Sequence, residues 1–165
     1  MGLAAHIDLF AAPDRLGAMA EFTYVTYIEG TPDRIWTALT DAAQSAEYWG
    51  HANVSDWKSG SRWEHQRTDG SETADVVGTI LEATPPTRLV NTWEDPANPG
   101  LGKPDVVTFT IEAHDGVARL TVHHRNIADD EQLAIASHGW AAVISNLKSY
   151  IELGRPLPHA PWEMP

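Results

Sequence analysis

One feature near the end of the chain restricts the fold more than any other: a single long apolar stripe at helical spacing. Leu133, Ala136, Trp140, Val143, Leu147 and then Tyr150 or Ile151 recur every three or four residues. Asp129 supplies an N-cap oxygen with Gln132 at the N3 position, and Gly154 followed by Pro156 stops the helix. The spacing therefore predicts a helix from Asp130 to Leu153. At 1.5 Å per residue it is roughly 30 Å long, the width of a small domain. A helix of that length with one apolar face needs one large apolar surface to cover it, and a curved sheet supplies such a surface.

The preceding residues read as that sheet. Phe22 to Glu29 (FTYVTYIE) is rich in aromatic and β-branched residues and ends at Gly30. Thr31-Pro32-Asp33 then opens a helix through Ile35, Trp36 and Leu39, and Asp41 caps a second short one that stops near Trp49-Gly50. Strands are expected at Val54–Trp57, Ser61–Arg67, Thr73–Ala83, Leu89–Glu94, Val106–Ala113 and Val117–His124. Asp69-Gly70 and Asp115-Gly116 are hairpin signals, and Pro85-Pro86 is a break. Six or seven strands at this spacing indicate an antiparallel meander. The fold class is thus α+β, with two short helices after the first strand and the long helix last. Residues 1–20 form an N-terminal extension of unknown structure, 21–154 the domain, and 155–165 a Pro-rich tail (PLPHAPWEMP at its end) expected to be irregular.

Composition removes several classes of function. The chain of 165 residues suits one domain with a single core. It has no cysteine, so disulfides, thiolate-bound zinc, iron–sulfur clusters and a cysteine nucleophile are excluded. Eleven Lys and Arg against 23 Asp and Glu give a formal charge of −12, with no basic run, which disfavours nucleic acid and anionic membrane surfaces as partners. The N-terminus lacks a basic start and Asp8 interrupts its apolar stretch, so neither a secretory signal nor a membrane span is expected and the location is cytoplasmic by default. Gly-x-Ser-x-Gly, phosphate-loop and His-Glu-x-x-His motifs are absent. No cofactor and no metal are expected.

Several segments in order resemble one superfamily. They are Thr31-Pro-Asp-Arg-Ile-Trp-Thr-Ala-Leu-Thr-Asp41, Tyr48-Trp-Gly50, Gly60-Ser-Arg-Trp63, Gly78-Thr-Ile-Leu-Glu82, Pro85-Pro-Thr-Arg-Leu-Val-Asn-Thr-Trp93 and His138-Gly-Trp-Ala-Ala-Val-Ile-Ser-Asn-Leu147. Together they resemble the SRPBCC (START/birch-pollen-allergen-like) superfamily, in the branch homologous to the C-terminal domain of the activator of heat-shock protein 90 ATPase. The resemblance runs from about Phe22 to Leu153. It implies a helix-grip fold, a curved antiparallel sheet wrapped on the C-terminal helix. Members include lipid and polyketide binders, cyclases, ring-hydroxylase subunits and co-chaperones, so the resemblance implies a fold more closely than an activity.

The candidate ligand-cavity residues follow from strand and helix periodicity. His65 shares a face with Trp63, and His124 shares one with Leu120 and Val122. Asn91 and Trp93 share another, and Phe109 lies on the next strand. Trp140 and Ile144 on the long helix, with Trp49 from the short one, form the opposite wall. Apolar walls with a few polar groups are what small-molecule binding requires. The expected function is binding of a hydrophobic or aromatic small molecule in an internal cavity between sheet and helix. Two alternatives stay open: a cyclase- or hydrolase-like enzyme using His65 and His124 as acid and base, and a co-chaperone-like domain acting on a heat-shock ATPase, implied by the resemblance alone. Trp57 and Trp162 have no assigned burial, so a homodimer is a further possible assembly.

Overall fold

A computed structural model describes residues 19–165, so all but the last two residues of the expected N-terminal extension lie outside the described residues. The order is β1 (Ala20–Glu29), α1 (Pro32–Thr40), α2 (Ala42–Trp49), β2 (His51–Val54), β3 (Arg62–Arg67), β4 (Ala74–Thr84), β5 (Arg88–Trp93), β6 (Asp105–His114), β7 (Val117–Ile127) and α3 (Asp130–Leu153), with a short 3-10 turn at Pro161–Glu163. The seven strands form one curled antiparallel sheet in the order β1-β7-β6-β5-β4-β3-β2. β2 to β7 are a meander, and the first strand closes on the last one (Phe22 opposite His124, Ile28 opposite Ala118). This is the helix-grip arrangement the sequence implies.

Local chemistry explains each boundary. The Thr31 hydroxyl accepts from the Arg34 amide, the Asp41 carboxylate from Gln44, and the Asp129 carboxylate from Gln132 at 2.8 Å. Gly50 ends α2 at φ 78°, a left-handed conformation that costs glycine little. Directly after it the chain runs into β2, three residues earlier than the expected strand at Val54–Trp57. Trp57 stands at φ 58° with its amide donating to the Ser55 hydroxyl, so a turn replaces the end of that strand.

Alternation places Ile28, Trp63, Ile80, Leu89, Val107, Phe109, Leu120 and Val122 on the inner face, all at most 2 % exposed, against Ile144 and Leu147 of α3. Gly78 lets this face close. A β-carbon there would lie 1.8 Å from the Thr92 carbonyl and 2.5 Å from the Trp63 indole nitrogen, which crosses it to donate to that same carbonyl at 2.7 Å. The interior is a packed core: the space bounded by Leu39, Trp63, Leu89, Asn91 and Phe109, among others, measures about 10 Å³. That is about the space of one water molecule.

α3 is only half gripped. Buried residues begin at Trp140, and none from Asp130 to Gly139 is buried. Apart from the 3-10 turn, the tail has no regular secondary structure, and side chains of α3 hold it in place. Asn146 donates to the His159 carbonyl (3.2 Å) and accepts from the Leu157 amide (3.0 Å), while His138 donates to the Met164 carbonyl (3.3 Å).

A candidate ligand cleft along the free half of the last helix

Open space lies where the sheet leaves α3 uncovered. A cleft of about 600 Å³ is lined by Trp49, His51, His65, Ala134, Ile135, His138, Gly139, Val143, Pro161 and Trp162. A second, of about 380 Å³, is lined by Trp49, Val76, Trp93, Asp105, His124, Gln132, Ile135, Ala136, Gly139, Trp140 and Val143. Trp49, Ile135, Gly139 and Val143 border both, so the two are neighbouring parts of one site.

Three indoles form its floor. Trp49, Trp93 and Trp140 meet at ring-centroid separations of 6.0, 5.7 and 5.4 Å, and Phe109 backs Trp140 at 5.7 Å. Edge-to-face and tilted contacts of this kind favour a fixed arrangement over a fluid one. Trp49 comes from the last residue of α2, Trp93 from the end of β5 and Trp140 from the first buried turn of α3, so the floor joins three elements.

The imidazoles flank this floor and differ in what they offer. The His124 Nε2 lies 2.8 Å from an Asp105 carboxylate oxygen, and its Nδ1 accepts from the Trp140 indole at 3.1 Å. Both nitrogens are therefore engaged, Nε2 as donor and Nδ1 as acceptor, and the ring acts as a brace that orients Trp140. His65 is different. Its Nδ1 is 2.7 Å from the Asn53 Oδ1, while the Asn53 amide nitrogen donates to the Leu39 carbonyl at 2.9 Å, which fixes the amide's orientation. Nδ1 of His65 must then carry the proton, leaving Nε2 as a lone pair. Burial pushes the His65 pKa down to about 3, and the neighbouring His51 acts in the same direction. The ring is neutral near neutral pH.

His51 and Asp75 belong to the same polar edge and were not among the expected site residues. His51 stacks on His65 at 4.2 Å with the rings 9° from parallel. Its Nε2 is 2.9 Å from Asp75, whose carboxylate also receives the Arg67 guanidinium at 2.7 Å. The Arg67 hydrogen bonds, then that from His51, hold the Asp75 carboxyl at about 2, well below its usual range. The signal for this group is cross-strand: His51 pairs with Arg67 in the β2–β3 register, and alternation along one strand does not reveal a partner on another.

Of the expected site residues, Trp49, His65, Trp93, His124 and Trp140 converge on the cleft. Trp63, Asn91, Phe109 and Ile144 lie beneath it in the packed interior, at 1 to 3 % exposure. Asn91, in the orientation its neighbours require, donates to the Val107 carbonyl (3.3 Å) and accepts from the Trp63 indole (3.2 Å). His65 borders the larger part of the cleft and His124 the smaller, and each ring contacts Trp93, at 5.9 and 6.2 Å. Gly139 and Ile135 were also absent from the expected set. Among the described residues, no group of three or more His, Asp or Glu is placed to hold a metal ion, and no helix is long and apolar enough to cross a membrane.

Residues 29–152 match the family described as activator of Hsp90 ATPase homolog 1-like protein. The chain belongs to that family. Solved structures agree with this family assignment at the level of fold. The Aha1 dimer from Colwellia psychrerythraea superposes with a TM-score of 0.69 at 18 % identity, covering 82 % of this chain and 98 % of that one. An HSP90 activator from Plasmodium falciparum gives 0.67 at 20 %, covering 82 % and 97 %. CalU16 from Micromonospora echinospora gives 0.66 at 19 %, covering 81 % and 76 %. A comparison with curated proteins finds no match. In this Hsp90-activator-like domain, then, the three-indole floor and its flanking imidazoles are the features to be explained.

Proposed function

We propose that this domain binds a compact apolar or aromatic small molecule in the cleft between the free half of α3 and the β2–β3–β4 end of the sheet, with Trp49, Trp93 and Trp140 as its floor. The observation that carries this reading is Gly139. It sits mid-helix with ordinary backbone angles, and a β-carbon built on it meets no atom of the described residues within 4 Å. Glycine in a helix interior costs about 0.5–1 kcal/mol relative to alanine, and among the described residues nothing packed against this position requires it. Its place on the border of both parts of the cleft gives it a use as clearance for a ligand. The volume is within the range of small-molecule sites, and apolar walls with a few oriented polar groups are their usual lining.

Native mass spectrometry and thermal shift against a panel of one- to three-ring apolar compounds test this reading. Saturable binding by the wild type that is lost in Gly139→Leu supports it, and equal binding by both proteins places the site elsewhere. A second copy of the chain is the competing occupant, because Ile135 and Trp162 at the rim are 58 % and 64 % exposed. The Colwellia protein was solved as a dimer. Sedimentation of the wild type and Ile135→Glu over a range of concentrations separates the two: a dimer that dissociates in the variant favours the second copy.

A further inference from the structure

Resting on that reading, the polar edge of the cleft narrows the chemistry of what it takes. The two stacked imidazoles are each tied to the protein through one nitrogen. The Nδ1–H of His65 donates to the Asn53 Oδ1, and Nε2 of that ring makes no hydrogen bond among the described residues. Asp75, kept anionic by Arg67, accepts a hydrogen bond from Nε2–H of His51, and the buried Nδ1 of His51 has no partner among the described residues. In its neutral form His65 therefore holds an unpaired acceptor at the edge of the cleft, with the His51 ring stacked on it at 4.2 Å. At the far end the carboxylate of Asp105 borders the site, and among the described residues no Lys or Arg lines either part.

We infer that the cleft selects an uncharged ring-bearing molecule carrying a hydrogen-bond donor such as a hydroxyl, and seats that donor on Nε2 of His65. An apolar ligand of the same shape would cover this nitrogen without replacing its bond to water, and a buried acceptor left unmet is costly. A carboxylate would face the lone pair of His65 and the Asp105 charge, with no Lys or Arg among the described lining residues to receive it. Trp162, whose ring stands edge-on to His51 at 5.9 Å and is packed against Gly50, forms the outer wall beside the stacked imidazoles.

Three probes sharing one ring system decide the matter by calorimetry: 2-naphthol, 2-methoxynaphthalene and 2-naphthoate. The expected order is 2-naphthol tighter than 2-methoxynaphthalene by about fivefold or more, the worth of one hydrogen bond, with the carboxylate weakest. In His65→Phe, which keeps a ring and removes the acceptor, the first two should become equal. His65→Gln, which keeps an acceptor, should retain part of the preference. Equal affinities in the wild type, or a preference that survives in His65→Phe, overturn the inference while leaving cleft binding intact. No binding of either neutral probe by the wild type overturns both. Because the wild-type comparison needs no variant, a His65 substitution that fails to fold leaves a deciding result.

Discussion

Replacing Gly139 by alanine separates a stability effect from a binding effect at one atom. The residue lies ten positions into a 24-residue helix, and the added methyl group meets open space. With no clash to offset it, the gain is the helix-propensity difference, about 0.5–1 kcal/mol of added stability. In a domain of this size that raises Tm by about 1–4 °C. Urea unfolding followed by tryptophan fluorescence measures it directly, with the midpoint rising and the slope unchanged. Gly139→Leu keeps most of the propensity gain but projects its side chain across the border of both parts of the cleft. It should be at least as stable as the wild type and bind 2-methoxynaphthalene about tenfold more weakly or worse. Loss of more than about 0.5 kcal/mol in Gly139→Ala would mean that something packs on this glycine, and the argument for clearance would collapse.

Other expectations concern the walls. Gly78→Ala should cost about 3 kcal/mol or more, since its β-carbon would fall 1.8 Å from a backbone carbonyl that cannot move without parting β4 from β5; chemical denaturation measures this. His65, with its folded-state pKa lowered to about 3 from an unfolded value near 6.5, stays neutral when folded and protonates when unfolded. Its contribution is fully present above about pH 6.5 and is lost as pH falls toward 3, at most about 1.4 kcal/mol per unit. His65→Gln should therefore show a shallower fall in urea midpoint between pH 6.5 and 4 than the wild type, and parallel curves would contradict the assignment. Trp162→Ala, at a side chain 64 % exposed, should change stability by less than about 1 kcal/mol while weakening 2-naphthol, as calorimetry would show.

How far these features could be read from the residues depended on their range. α3 was legible to the residue because its cap, its stripe and its terminating glycine are all local signals, and the β4–β5 and β6–β7 pairs followed from breaks and alternation. β2 was misplaced because its four residues, His-Ala-Asn-Val, carry no strand pattern, and it is defined by α2 on one side and β3 on the other. The inner face of each strand was read correctly at Trp63, His65, Asn91, Trp93 and His124. Which of these meet solvent was not, since that depends on how far the sheet reaches along α3. Trp63, Phe109 and Ile144 fill the space expected to be a cavity, and the opening falls instead beside Gly139, a residue whose importance lies in the side chain it lacks. The Asp75–His51–His65 group spans three strands and leaves no mark in any one of them.

The most direct test follows the indole N–H resonances of the protein during titration with 2-methoxynaphthalene. Seven tryptophans report from distinct places in the fold. Saturable shifts at Trp49, Trp93, Trp140 and Trp162, with Trp36 on α1 unmoved, are the result predicted for a ligand in the cleft. An absence of saturable shifts, or shifts centred on Trp36 and away from α3, would contradict binding in the cleft.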